Sequence, residues 1–248
     1  MLTDQAVSMW RFAPECPSLT DGEVHIWGAS LDLPEAHVQA LERLLTDEER
    51  QQAARFRFRQ LSDRFIIARA RLRIILGRYL DLAPCRVRFV YNAYGKPALE
   101  APHEHRLRFN LSRSQGLVLF AIAAAGEVGI DVERVREGVP VEEIAERFFS
   151  PAESAALRGF DGLEKHDVFF NYWVCKEAYV KALGKGLSFP LNEVEIELAG
   201  KPVRIGGKSN GQASSRWLLC QLNAGADYKA ALVTEGDCQS MECFWWQD

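Results

Sequence analysis

Val128-Gly129-Ile130-Asp131-Val132-Glu133 is the stretch on which the fold turns, taken with Trp173-Val174-Cys175-Lys176-Glu177-Ala178-Tyr179-Val180-Lys181 further along. The first reads as a strand, and residues two apart on a strand point to the same face. Asp131 and Glu133 therefore present paired carboxylates while Ile130 and Val132 point into a core. The second lies in a run without Gly or Pro, 167–183, which reads as one long helix ended by Gly184-Lys185-Gly186. Glu177 and Lys181 are one turn apart on it and share a face, whereas Lys176 points elsewhere. If that face meets the strand face, three carboxylates and one ammonium converge on a small volume. Magnesium is a hard cation held by one or two carboxylates, waters and substrate phosphate, so such a set suits a Mg²⁺-pyrophosphate complex. Each half also has a plainer reading. Asp-x-Glu at a strand end is ordinarily solvated surface, and a Glu–Lys pair one turn apart stabilises a helix by only about 0.2–0.5 kcal/mol.

Upstream of the metal strand, 107–111 and 117–124 are strand candidates flanking Ser112-Arg113-Ser114-Gln115-Gly116, a polar segment expected at the sheet's end. Residues 62–80 carry apolar side chains at spacings of three and four, the pattern of a helix with one buried face and a basic opposite face. Val24 and Ile26 alternate with polar neighbours as a short early strand; Val87, Phe89 and Tyr91 do the same ahead of the turn Tyr94-Gly95-Lys96-Pro97. Thr46 with Glu49, and Ser150 with Glu153, are capping boxes, the second with Pro151 at the first helical position. A helix over 141–149 and strands over 194–198, 217–222 and 228–233 complete the reading.

The 248 residues permit one large domain or two ordinary ones, since domains commonly hold roughly 100–150 residues. A net charge of -4 gives no global pull towards nucleic acid or membrane, so any anion site must be local. Residues 1–19 are acidic, polar and proline-containing, unlike a secretory signal, and no apolar run approaches the ~20 residues that span a bilayer. The six cysteines form no CxxC pair and stand at no zinc-ligand spacing with histidine, which implies reduced thiols in a cytoplasmic protein.

Gly-Ile-Asp-Val-Glu followed by Trp-x-x-Lys-Glu-Ala-x-x-Lys-Ala-x-Gly-x-Gly-Leu resembles the two signature blocks of the surfactin-type 4′-phosphopantetheinyl transferases. Tyr94-Gly95-Lys96-Pro97, Phe109-Asn110-Leu111-Ser112-Arg113-Ser114 and 147–153 resemble further blocks in the family's order, so the likeness runs from about Leu44 to Leu191. The resemblance implies transfer of the 4′-phosphopantetheine of coenzyme A to a serine of an apo acyl or peptidyl carrier protein, as in fatty acid, polyketide or nonribosomal peptide synthesis. Asp131, Glu133 and Glu177 would hold Mg²⁺, or Mn²⁺, against the pyrophosphate, with Lys181 on the phosphate and Glu177 the best candidate base. Lys96, Ser112 and position 113 would contact the nucleotide. Position 113 is His in most of the family and Arg here, which can still grip a phosphate bidentately.

The implied fold is α+β, two similar halves related by a pseudo-twofold, each a small mostly antiparallel sheet with a long helix. The halves would be 1–124 and 125–248, with the active site between them and a monomer sufficient. Arg50 to Arg78 includes nine arginines with Asp63 the only acid among them. RNA binding is the alternative this raises, but interleaved aromatics and an RNP-like motif are missing. A solvated helix face accounts for most of these arginines; Arg64 is the one expected at the nucleotide phosphate, and others are docking charges for an acidic carrier. Arg147-Phe148-Phe149 is expected to receive the carrier, the plainer reading being that the rings are core. The five histidines form no ligand set, and Trp245-Trp246 reads as packing. Another Mg²⁺-dependent pyrophosphate enzyme and a non-catalytic binding module remain as rival classes.

Overall fold

Two 22-residue helices, α3 (Arg59–Leu80) and α6 (Gly162–Leu183), form the outer layers of an α/β/β/α stack in this computed structural model. It describes residues 10–104, 106–196, 205–207, 217–236 and 238–247. The first sheet has five strands in the order β1 (Trp10–Phe12), β12 (Ser240–Trp245), β2 (Glu23–Ser30), β6 (Leu117–Ala123), β5 (Arg108–Ser114). The second has the order β10 (Trp217–Leu222), β11 (Tyr228–Glu235), β7 (Val128–Arg134), all antiparallel. Two short hairpins, β3 (Phe89–Tyr91) with β4 (Pro97–Leu99) and β8 (Val194–Ile196) with β9 (Ile205–Gly207), stand outside them. Shorter helices α1 (Glu35–Glu42), α2 (Asp47–Ala54), α4 (Val141–Phe148) and α5 (Pro151–Leu157) precede the long ones.

Alternation along the strands builds the layers. On β6, Val118, Phe120 and Ile122 face α3, while Leu117, Leu119 and Ala121 face the second sheet. With both faces covered, the strand is apolar throughout. On β7, Val128, Ile130 and Val132 face the first sheet, which turns Gly129, Asp131 and Glu133 towards α6. A Cβ on Gly129 would stand 2.1 Å from the Ala178 carbonyl oxygen and 2.3 Å from the Ala182 nitrogen, so only glycine lets helix and strand close this far.

The two halves share a construction detail. Both capping boxes form, with Thr46 and Ser150 each accepting from the amide three residues on. Each box glutamate then receives a buried cation from the following long helix: Arg73 Nε lies 2.9 Å from Glu49 Oε2, and Lys176 Nζ lies 2.7 Å from Glu153 Oε2. Arg73 and Lys176 both stand fourteen residues after the first residue of their helix. Burial lowers the Lys176 pKa, opposed by Glu153, and the carbonyls of Leu191 and Val194 take its remaining protons.

The basic face of α3 is not solvated as expected. Arg71 is 0% and Arg73 2% exposed. Arg73 also donates to the carbonyls of Pro84 and Val87, Arg71 donates to that of Ser30, and Arg78 donates to that of Pro14 while lying 4.5 Å from the Trp246 ring centroid. Guanidinium groups with satisfied donors can be buried, and here they lace loops onto the helix. Strands β1 and β12 and helix α1 go beyond the sequence reading. β12, from the far end of the chain, inserts between β1 and β2, parallel to both. The polar segment after position 111 is strand rather than sheet end: β5 continues to Ser114, and Gln115-Gly116 alone make the turn. Residues 197–198 of the expected strand, and His105, lie outside the described residues.

Candidate active site

The edge strands β5 and β7 meet without a backbone ladder, and side chains join them. Asn110, Ser112 and Ser114 alternate on the face of β5 turned to the second sheet. Asn110 Oδ1 accepts from the Ile130 amide at 3.0 Å, Ser112 Oγ donates to Asp131 Oδ1 at 2.8 Å, and Ser114 Oγ donates to Glu133 Oε2 at 2.6 Å while accepting from the Arg134 amide. The stitch aims both acids at α6. From that helix Lys181 Nζ donates to Asp131 Oδ1 at 2.6 Å and to Ser112 Oγ at 2.8 Å.

A cavity of about 540 Å³ opens over this junction. Asp131, Glu133, Glu177, Lys181 and Ser112 line one side, with Trp173 beside them; Phe65, Ala68 and Arg69 of α3 and Arg113 of β5 line the other. Asp131 Oδ2 and Glu177 Oε1 are buried and have no hydrogen-bond partner. Burial, then the Asp131 charge, push the Glu177 pKa up to about 7, with Lys181 opposing and Glu133 adding. Glu133 is also raised, by burial first, against the Ser114 hydrogen bond. Carboxylates held this way, desolvated and repelling one another, gain from a cation brought into the cavity.

Arg69 and Arg113 supply positive charge at the other wall. Arg69 lies 5.1 Å from the Phe89 ring centroid, and its Nη1 is buried without a partner. Arg113 lies over Phe65 at 5.7 Å. Much of Arg113 stays open to water, which screens the downward pressure of burial and of the Arg69 charge on its pKa, so it remains a cation. Two arginines facing one pocket disfavour each other and favour an anion between them.

The chain is 40% identical over 227 residues to the 4′-phosphopantetheinyl transferase HetI of Nostoc sp., a match covering 90% of this chain and 93% of that protein. It belongs to the 4′-phosphopantetheinyl transferase family. Residues 127–233 match the 4′-phosphopantetheinyl transferase superfamily, and Sfp of Bacillus subtilis is 32% identical over 177 residues, covering 70% of this chain and 76% of that one. Holo-[acyl-carrier-protein] synthase of Thermotoga maritima matches 45% of this chain and 63% of its own at 25% identity and a TM-score of 0.37. In this transferase the Gly-Ile-Asp-Val-Glu strand and the Lys-Glu-Ala helix of the motifs pack together and form one wall of the cleft.

Three expected residues lie elsewhere or are otherwise engaged. Arg64 forms a two-pronged pair with Asp32, at 2.8 and 3.1 Å, against the Gln115-Gly116 turn and outside the cavity lining. The α3 arginine that the transferase brings to the cavity is Arg69. Arg64 and Arg69 stand symmetrically about Phe65 and Ala68, each four residues from one and adjacent to the other, so helical spacing does not separate them and the tertiary packing decides. Lys96 is turned inward: its Nζ pairs with Glu127 at 2.6 Å and donates to the Ala182 carbonyl at 2.9 Å, fastening the β3–β4 hairpin to the end of α6. Ser112 is buried within the Asp131–Lys181 network. Phe149 is core, stacked on Phe169 at 5.3 Å, so the plainer reading holds for that ring, whereas Phe148 is half-buried and packs edge-on against Trp173.

Proposed function

We propose that this cavity is where the transferase moves the 4′-phosphopantetheine of coenzyme A onto the serine hydroxyl of an apo acyl or peptidyl carrier protein, releasing adenosine 3′,5′-bisphosphate. The observation that carries the site assignment is the pair of orphaned buried oxygens, Asp131 Oδ2 and Glu177 Oε1, beside an ammonium and opposite two arginines. That donor set is all oxygen and fits Mg²⁺, with Mn²⁺ as the substitute. Asp131, Glu133 and Glu177 would hold the ion. Bound there, it would supply charge neutralisation on the pyrophosphate.

The chain's own residues do the rest. Lys181 is tethered by Asp131 and Ser112 so that its ammonium stands at the cavity wall, where it offsets charge gathering on the transferred phosphoryl. Arg69 and Arg113 receive the donor's nucleotide phosphate. Glu177 accepts the serine proton directly or through water as the serine oxygen attacks the β-phosphorus in line. Trp173 and Phe65 add apolar surface to the cleft lining. Taking the halves as 1–124 and 125–248, except that β12 belongs to the first half's sheet, one copy would contain a whole site, and the reading takes the protein as a cytoplasmic monomer that needs neither nucleic acid nor membrane. No helix among the described residues is long and apolar enough to cross a membrane.

Incubation with coenzyme A, Mg²⁺ and apo carrier protein should raise the carrier's mass by one phosphopantetheine. Asp131→Ala should abolish this, and Glu133→Gln should be partly rescued by raised Mg²⁺. Near-normal turnover of Asp131→Ala would overturn the site assignment, and absence of transfer by the unaltered protein to any carrier would overturn the reaction.

A further inference from the structure

We propose that Glu23, His25 and Glu242 form a second divalent-cation site, of zinc-like preference, which pins β12 onto β2. Ligating atoms of these three residues all lie within 4.8 Å of one another, the only such group of His, Cys, Asp or Glu among the described residues. The active-site carboxylates are more widely spaced and offer oxygen alone; this group adds an imidazole.

The strand register builds the site. Glu242 on β12 stands opposite His25 on β2 in parallel pairing, and Glu23 shares the His25 face two residues earlier. His25 is 2% exposed and wedged between Phe244 and Tyr79, with ring centroids at 5.1 and 5.8 Å. Its Nδ1 lies 2.6 Å from the Tyr79 hydroxyl oxygen, which also accepts from Trp27 Nε1 at 2.9 Å. The Tyr79 oxygen can take the imidazole proton from Nδ1 alongside the Trp27 N–H, and in that tautomer, the one a bound cation selects, Nε2 is a lone pair. Nε2 is buried without a hydrogen-bond partner. It faces Glu23 Oε1 at 3.3 Å, out of hydrogen-bonding alignment.

The carboxylates are oriented too. Glu23 Oε2 accepts from the Thr20 amide at 3.0 Å and the Thr20 hydroxyl at 3.1 Å, which leaves Oε1 turned to the histidine. Among the described residues Glu242 pairs with the largely exposed Arg11, at 3.2 Å, an ion pair an arriving cation can replace, and its partial exposure gives the entry path. One imidazole nitrogen with two carboxylate oxygens, and solvent in the remaining position, is a zinc donor set, whereas Mg²⁺ avoids nitrogen. An ion here joins a strand of the first half to the strand that arrives from the other end of the chain.

The test uses Zn²⁺ alone on EDTA-stripped full-length Asp131→Asn protein, in which the proposed active-site ion is disabled. Equilibrium dialysis should find one Zn²⁺ per chain, and a hundredfold excess over its Kd should raise Tm by roughly 5–10 °C. Adding Glu242→Gln, a half-exposed change that removes a ligand without opening the core, should weaken binding at least tenfold and remove the Tm shift. Unchanged binding after Glu242→Gln, or no Zn²⁺ on the Asp131→Asn protein, would overturn the proposal without touching the transfer reaction.

Discussion

Replacing Glu177 by glutamine should stabilise the metal-free protein at alkaline pH while abolishing transfer. Burial first and Asp131 second lift its folded-state pKa from 4.5 to about 7. Below the unfolded value both states hold the proton and nothing is lost. Between about 4.5 and 7 the unfolded chain has released it while the folded protein keeps it, so stability falls as pH rises, and above 7 the whole cost persists. At about 1.4 kcal/mol per unit that cost is about 3–4 kcal/mol, trimmed to roughly 2–3 kcal/mol by water reaching a half-buried side chain. Glutamine has the same shape and no charge at any pH. Thermal unfolding in EDTA should therefore show Glu177→Gln above the unaltered protein by roughly 5–10 °C at pH 8, shrinking to a few degrees or less at pH 5. Mg²⁺ at pH 8 should raise the Tm of the unaltered protein and leave the variant nearly unmoved. A Tm difference that is absent at pH 8, or equal at pH 5 and pH 8, would refute the picture of a desolvated carboxylate awaiting a cation.

Gly129→Ala drives a Cβ into the α6 backbone at 2.1 Å, so it should cost roughly 1–3 kcal/mol or more and, by displacing Asp131 about 1 Å from Glu177, lower kcat about 100-fold; urea unfolding and turnover check the two effects. Lys176→Met leaves Glu153 buried without its cation and should cost about 3–5 kcal/mol in urea unfolding, whereas a loss under about 1 kcal/mol would mean that the pair is not holding α5 to α6. Arg69→Ala should raise the coenzyme A KM about tenfold or more, and Arg64→Ala should leave it within about threefold; the reverse order would return the phosphate site to Arg64. Arg113→His should make the donor KM rise with pH as the imidazole loses its proton near ~6.5, an effect that should vanish with dephospho-coenzyme A if Arg113 grips the 3′-phosphate.

What could be read along the chain was whatever depends on neighbours in sequence. Period-two alternation puts Asp131 and Glu133 on one face, the Gly-free run to Leu183 makes α6, and Thr46-x-x-Glu49 and Ser150-x-x-Glu153 cap their helices because those hydrogen bonds close within four residues. The motif resemblance then brought Asp131, Glu133, Glu177 and Lys181 together, and the structure places all four around one cavity. Tertiary structure alone decided which faces meet. The choice of Arg69 over Arg64 depends on where β5 crosses α3, and the inward turn of Lys96 depends on Glu127 and on the end of a helix 86 residues away. The burial of Arg71 and Arg73 depends on carbonyls and a capping glutamate that a count of arginines does not show. β12 is the plainest case. Six residues with no motif complete a sheet begun more than 200 residues earlier, because the open edge of β2 offers unpaired amides and carbonyls that a strand must cover, and nothing local to 240–245 names that partner.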